Sequence, residues 1–283
     1  MLDSISIKAP AKVNLFLKVL NKRLDGYHNI ISAITFVNLY DVINIKLSSH
    51  NSITYNGKFK PFDGYYKDCI IQKTLDILSL DQNFKFEISI KKNIPVRGGL
   101  GSASTNAAGL INGLKKLNIL KYDNTNLTEI YKLSTDLNSF IYGRDCFVKS
   151  SGDNVSFLKL PKYFFLLIKP TIDFSTKDMY SNLKRKSYIN IDFQNQDTNH
   201  KYTSGFVGND FEKIAVKKSS EIKKILDFLN LCEGSISSNL TGSGSCCFAL
   251  FNKKEYANRA KEEFLSNFPN LWTAIVENNT IID

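Results

Sequence analysis

A chain of 283 residues is long enough for two domains sharing a cleft, and 43% hydrophobic with 23% charged residues is the make-up of an ordinary folded protein, which excludes a disordered one. The densest apolar run, YFFLLI at 163–168, is far too short to cross a bilayer, so no membrane span is expected. A net charge of +10 suits nucleic acid, anionic lipid or a small polyanion, but the excess is lysine scattered among asparagines and isoleucines and selects none of them.

The start, MLDSISIKAPAKVN, lacks the basic and apolar segments of a signal peptide, so a cytoplasmic location is expected. Residues 5–20 alternate apolar and polar positions either side of a proline, as paired strands do, and RLDGYH reads as a turn. Two β-rich runs follow, ISAITFVNL and DVINIKL. Residues 70–80 have helical spacing, and FKFEISIKKNIP reads as a strand.

That strand opens into PVRGGLGSASTNAAGL, residues 95–110, and the helix beyond it carries Ala107, Ala108, Leu110, Ile111, Leu114 and Leu117 inward. A further helix is expected over 127–141, with Leu127, Ile130, Leu133, Leu137 and Phe140 apolar. YFFLLIKP starts a second unit, with the domain boundary near residue 155, giving domains 1–155 and 156–283. Residues 184–204 are polar and aperiodic, the pattern of a surface loop. The helix SSEIKKILDFLNL, the turn SSNLTGSGS, the strand CCFALF, the helix KKEYANRAKEEFLSNF and the strand WTAIVENN complete an α+β pattern.

Glycines let backbone approach a ligand closely, and the first turn of a helix presents amide N–H groups without partners at the positive end of its dipole. Strand, glycine loop and helix therefore form an anion site, with Lys91, Lys92 and Arg97 flanking it. The loop is neither a P-loop nor a dinucleotide fingerprint, because GxxxxGK[ST] and GxGxxG are both absent. A tight turn of small residues packed on a neighbour is the alternative. Lys12 and Asn14 stand two apart on a strand and so share a face. The five cysteines, Cys69, Cys146, Cys232, Cys246 and Cys247, are odd in number and contain no CxxC pair, so they are expected reduced and mostly buried.

PAKVNLFLKV, the glycine loop and SSNLTGSGSCCF together resemble, in order and over the whole chain, the motif set of the GHMP small-molecule kinases. RLDGYH, LSTDLNSFIYGRDCF and GNDFEKIA resemble the branch that phosphorylates the 2-hydroxyl of diphosphocytidyl methylerythritol in the non-mevalonate isoprenoid pathway. The resemblance implies an α+β fold of two domains, an N-terminal one like domain 2 of ribosomal protein S5 and a ferredoxin-like C-terminal one, with the active site in the cleft between them. It implies ATP and Mg²⁺ as requirements, a small-molecule substrate, no nucleic-acid or membrane partner, and a monomer or weak homodimer.

Residue by residue, it implies Lys12 and Asp136 as the catalytic pair. The ATP phosphates fall to Pro95, Val96, Arg97, Gly98, Gly99, Leu100, Gly101, Ser102, Ala103, Ser104 and Thr105, with Lys92 on the nucleotide side and Ser104 or Thr105 at the metal. Asn14, Tyr27, His28, Thr176 and Tyr180 fall to the substrate, and Thr241, Gly242, Ser243 and Gly244 form the third motif loop. Departures from the family pattern are Ser102, Ala103 and Ser104 in a run usually richer in glycine, Arg97 for a small residue, Asn138 for a proline and Cys69 for an asparagine near the adenine. Homoserine or mevalonate phosphorylation and a non-catalytic nucleotide or RNA binder are the rivals, and DGYH argues against both kinases because neither reads a cytosine.

Overall fold

The structure, a computed structural model, describes residues 3–61, 69–120, 133–134, 136–152, 154–183 and 208–278. Leu127 and Ile130 of the expected helix, the polar run 184–204 and His200 lie outside these residues.

The long hairpin of β1 (Ser4–Lys22) and β2 (His28–Ser48) is the backbone of the molecule. The two β-rich runs of 30–47 form one continuous strand, since β1 pairs with it along its whole length. On its other side β2 pairs with β4 (Lys85–Lys91) through Val42–Ser48 and with β5 (Cys146–Ser150) through Ile30–Ile34. The parallel strand β3 (Ser52–Asn56) joins β4, and β6 (Asn154–Phe157) closes the other edge. Pro10 has no N–H for the ladder, and the register of β1 shifts just there, between Pro10 and Ala11.

Residues 9–14 are buried without a break, so the alternation that marks the flanks of β1 vanishes in its middle. The cause is packing on both faces. Ala9 joins the core under α1 (Ile70–Leu78), α2 (Ser102–Lys116) and α3 (Leu137–Tyr142). Ala11 and Val13 join a second core with Phe165, Leu167, Phe248 and Val276 of the other sheet.

That sheet has the order β10 (Trp272–Glu277), β7 (Phe164–Lys169), β9 (Cys247–Phe251), β8 (Ser235–Leu240), antiparallel throughout. The short α4 (Thr176–Ser181) and the helices α5 (Glu212–Lys218), α6 (Ser220–Leu231) and α7 (Lys254–Asn267) complete this half, whose third core holds Met179, Ala215, Leu226 and Phe264. Two sequence expectations shift. Ser237–Leu240, read as part of a turn, finish β8, because their partners on β9 run to Cys247. The helix expected over 127–141 is interrupted: Leu133 is helical, Ser134 is not, and a separate helix begins at Leu137, immediately after Asp136. All five cysteines are buried and free.

Candidate active site

Strand β1 brings Lys12 and Asn14 into the junction of the two sheets, each 3% exposed. Lys12 Nζ donates to Asn14 Oδ1, Asn14 Nδ2 donates to Ser32 Oγ at 2.7 Å, and Ser32 Oγ donates to Phe16 O at 2.6 Å. This relay fixes the Asn14 amide with its oxygen toward the ammonium. Asp136 approaches from the start of α3, Oδ2 lying 3.8 Å from Lys12 Nζ. It stands at the N-cap position without capping the helix through its side chain, which leaves the carboxylate turned to the lysine at the positive end of the helix. Burial pulls the Lys12 pKa below its ordinary value, and the charge of Asp136 opposes that fall.

The glycine loop leads into α2 as the sequence predicts. Gly101 is the N-cap and offers no side-chain cap, while Thr105 N donates to Gly101 O. The amides of Ser102, Ala103 and Ser104 therefore have no acceptor within the helix. Ala103 is exposed at this mouth, Ser102, Ser104 and Thr105 are buried, and Val96 and Arg97 face solvent beside it.

Of the basic cluster, Lys91 is exposed but Lys92 is not. Lys92 Nζ donates to Asp41 Oδ2, to Ser102 Oγ at 2.5 Å and to Ser102 O at 3.4 Å. Asp41 is fully buried, and its Oδ1 accepts from Asn93 N at 2.7 Å and Ile94 N at 2.9 Å. Ser104 Oγ lies 2.7 Å from Ser134 Oγ, which accepts from Asp136 N at 3.3 Å, so Ser104 faces the Asp136 side of the helix.

The second glycine turn closes over the first. Ser245 N donates to Arg97 O at 3.2 Å, Cys246 N to Gly98 O at 3.1 Å, and Asn14 N to Thr241 Oγ1 at 3.1 Å. The approach requires glycine on both sides: a Cβ on Gly99 would lie 2.1 Å from Thr241 O, and one on Gly242 would lie 2.8 Å from Gly99 O and 3.1 Å from Lys12 Nζ. Thr176 Oγ1 reaches Ser243 Oγ at 3.0 Å, and Phe174 would contact a Cβ on Gly244 at 3.0 Å.

At the far end the ring of His28 stacks on Tyr180 at 5.0 Å, and Tyr180 meets Phe211 edge-on at 4.8 Å. Burial, and to a lesser extent the charge of Asp136, raises the pKa of the Tyr180 phenol. Desolvation and Lys22 lower the His28 pKa, favouring a neutral ring. Tyr27 lies in the hairpin turn, 51% exposed.

Sequence reasoning gave no role to Asp41, Ser32, Asn209 or Phe211. Asn209 was legible only as a residue of the GNDFEKIA segment, and nothing in a single chain reveals that its amide spans to Leu240 and Gly242. Cys69, a departure from the family pattern, caps α1 by accepting from Gln72 N at 3.3 Å. Among the described residues no cluster of three His, Cys, Asp or Glu side chains is placed to hold a metal.

Comparison with known proteins matches the chain to two family models, GHMP kinases N terminal domain over residues 68–158 and GHMP kinases C terminal over residues 193–270. A 4-diphosphocytidyl-2-C-methyl-D-erythritol kinase of Thermodesulfovibrio yellowstonii is 33% identical, with 96% of this chain and 97% of the relative covered. One of Pelagibacter ubique is 32% identical, with 99% and 100% covered. A crystal structure of 4-(cytidine 5'-diphospho)-2C-methyl-D-erythritol kinase superposes with a TM-score of 0.76 at 23% identity, covering 96% of this chain and 99% of that one. A homoserine kinase of Cytophaga hutchinsonii superposes at 0.62 and 17% identity, covering 99% and 96%.

Proposed function

Because the chain belongs to the GHMP kinases, and within them to the 4-diphosphocytidyl-2-C-methyl-D-erythritol kinases, we propose that Lys12 and Asp136 are the pair through which it carries out that reaction. The protein is an ATP-dependent small-molecule kinase that phosphorylates the 2-hydroxyl of diphosphocytidyl methylerythritol. The observation that carries the proposal is the meeting of a buried ammonium and a half-exposed carboxylate beneath two interlocked glycine turns.

In the transfer, the bond from the γ-phosphorus of ATP to its bridging oxygen breaks, the 2-hydroxyl oxygen takes the phosphoryl group, and ADP leaves. Asp136 receives the hydroxyl proton. Lys12 pairs with Asp136 and draws the nucleophilic oxygen toward the cation. The transition state is loose, with charge spread over oxygens, so positioning and electrostatics supply most of the acceleration.

The free amides of Ser102, Ala103 and Ser104 suit the triphosphate, with Pro95–Gly101 and Thr241–Gly244 as its walls. Lys92 acts at one remove, holding Ser102 in place. Mg²⁺, when bound, neutralises phosphate charge; it takes much of its shell from phosphate and water, so a hydroxyl suffices from the protein. Ser104, facing Asp136 through Ser134, suits that place better than Thr105, which is 1% exposed.

Asn14 orients the substrate hydroxyl end, while Tyr27, His28, Tyr180 and Thr176 form its cytidine end, where a neutral imidazole can hydrogen bond to a pyrimidine edge. The first sheet ends at Phe157 and the second begins at Phe164, which supports two domains with the boundary between these residues, slightly beyond the expected 155. An enzyme that consumes ATP and a soluble metabolite works where both are made, and we assign it to the cytoplasm.

The test is turnover. Purified protein with Mg·ATP and the diphosphocytidyl methylerythritol is expected to release ADP and yield a product heavier by one phosphate. Turnover of homoserine or mevalonate in its place overturns the substrate assignment.

A further inference from the structure

The segment Gly208–Phe211 belongs to no named strand and only its end touches α5, yet each part of it fastens a different piece of the site. Leu17 N donates to Gly208 O at 3.1 Å and Asp210 N to Leu17 O at 3.0 Å, so the segment bridges to the strand that carries Lys12 and Asn14. The Asp210 carboxylate secures that bridge, accepting from Val19 N at 2.8 Å and Lys18 Nζ at 3.2 Å. Asn209, 6% exposed, turns the other way. Its Nδ2 donates to Leu240 O at 2.7 Å and Gly242 O at 2.8 Å, and its Oδ1 accepts from Phe211 N at 2.9 Å. Phe211 supports the Tyr180 ring edge-on.

One amide proton of Asn209 is thus committed to the end of β8 and the other to the turn over Lys12. That turn is packed closely on the face where Gly242 lacks a side chain, since a Cβ there would lie 2.8 Å from Gly99 O and 3.1 Å from Lys12 Nζ. A shift of the Gly242 backbone therefore moves the wall that stands beside Gly99 and the Lys12 ammonium. We infer that Asn209 is a positioning residue for phosphoryl transfer, setting the Thr241–Gly244 turn against Gly99 and Lys12 while its neighbours Asp210 and Phe211 lock the same segment to the substrate strand and the Tyr180 ring. The inference rests on the kinase reading of the site and adds to it a residue that touches neither substrate.

Asn209→Asp keeps the shape of the side chain and its acceptor for Phe211 N, but replaces the donor to two carbonyls with a carboxylate oxygen. Asn209→Ser does the reverse, keeping one donor and losing volume. Steady-state kinetics is expected to show kcat of Asn209→Asp reduced about 10- to 100-fold, with KM for ATP and for the cytidine substrate each within about threefold of the parent, and Asn209→Ser less impaired than Asn209→Asp. A role in packing alone predicts the opposite order of the two variants, and that order overturns the inference.

So does a kcat for Asn209→Asp within threefold of the parent, or a loss that falls on KM for either substrate. Should Asn209→Asp not fold, Asn209→Ser against Asn209→Ala makes the same decision, since both leave a cavity and only serine donates. Lys12→Ala serves as the control: an inactive Lys12→Ala beside a normal Asn209→Asp removes the Asn209 role alone, whereas an active Lys12→Ala removes the reading of the site.

Discussion

Lys12 Nζ lies 3.8 Å from Asp136 Oδ2, and the two ends of this pair differ sharply in exposure, the lysine side chain at 4% and the aspartate at 30%. The lysine is the interior partner and the aspartate opens toward solvent, the side from which the proposed reading brings the hydroxyl. Asp136→Asn keeps the shape and loses the proton acceptor, and Lys12→Ala loses the cation. Each is expected to lower kcat by at least about a hundredfold with the fold intact by circular dichroism. Because burial lowers the Lys12 pKa, activity in the parent falls on the alkaline side at a lower pH than an ordinary lysine would give. Asp136 is what holds that proton on, so the residual activity of Asp136→Asn falls at a lower pH still.

Among the described residues two lysines, Lys12 and Lys92, are buried with pKa values lowered by desolvation, and their removal is expected to act on stability in opposite directions. Lys12→Met leaves behind Asp136, which water still reaches, and removes a charge whose burial is costly. Stability is expected to stay level or rise by up to about 2 kcal/mol. The sign follows from linkage: a lysine whose pKa is lower folded than unfolded destabilises fully below its folded pKa, and the penalty fades as pH climbs from there toward the unfolded value. The advantage of Lys12→Met in urea unfolding therefore shrinks as pH rises through that window. Lys92→Met leaves Asp41 with no counter-charge and no water, and is expected to cost about 3–5 kcal/mol. An equal and small effect of both substitutions contradicts this account.

The layout of the candidate site was legible in the sequence where it depends on residue type and local spacing. Lys12 and Asn14 share a face because side chains on a strand repeat every two residues, and the glycine loop announces a helix start with free amides. What was hidden depends on contacts across long stretches of chain. Lys92 reads as a phosphate ligand from its place before the loop, but Asp41, far away in sequence, draws its ammonium inward. The unbroken burial of residues 9–14 likewise needs a second sheet on the far face of β1, which no local pattern can report. Asn209 is invisible for the same reason: its partners are two carbonyls about thirty residues on, one at the end of β8 and one in the turn after it.

Gly101 offers a test of how tightly the phosphate loop is built. Its φ is +72°, and a Cβ there would lie 2.1 Å from Phe140 Cζ and 3.2 Å from Lys12 Cγ. Gly101→Ala meets both the left-handed backbone penalty and overpacking, together about 2–4 kcal/mol. Denaturant unfolding is expected to show that loss. Gly101→Ala with Phe140→Leu relieves the collision but not the backbone strain, so the double variant recovers part of the stability. Full recovery would mean that the collision was the whole effect.

The aromatic end of the site should control one substrate and not the other. His28, Tyr180 and Phe211 form a continuous run of ring contacts, and stacking of a base on such a ring contributes roughly 1–3 kcal/mol. Tyr180→Leu removes the ring while keeping bulk against Phe211, and His28→Ala removes both the stack and the hydrogen-bonding edge. Each is expected to raise KM for the cytidine substrate about fivefold or more and to leave KM for ATP within twofold. Tyr27→Ala acts in the same direction, and because Tyr27 is half exposed its effect on stability is expected to be negligible. The measurement is initial rates with each substrate varied at saturating partner. A parallel rise in both Michaelis constants would move the rings from reading the base to shaping the cleft as a whole.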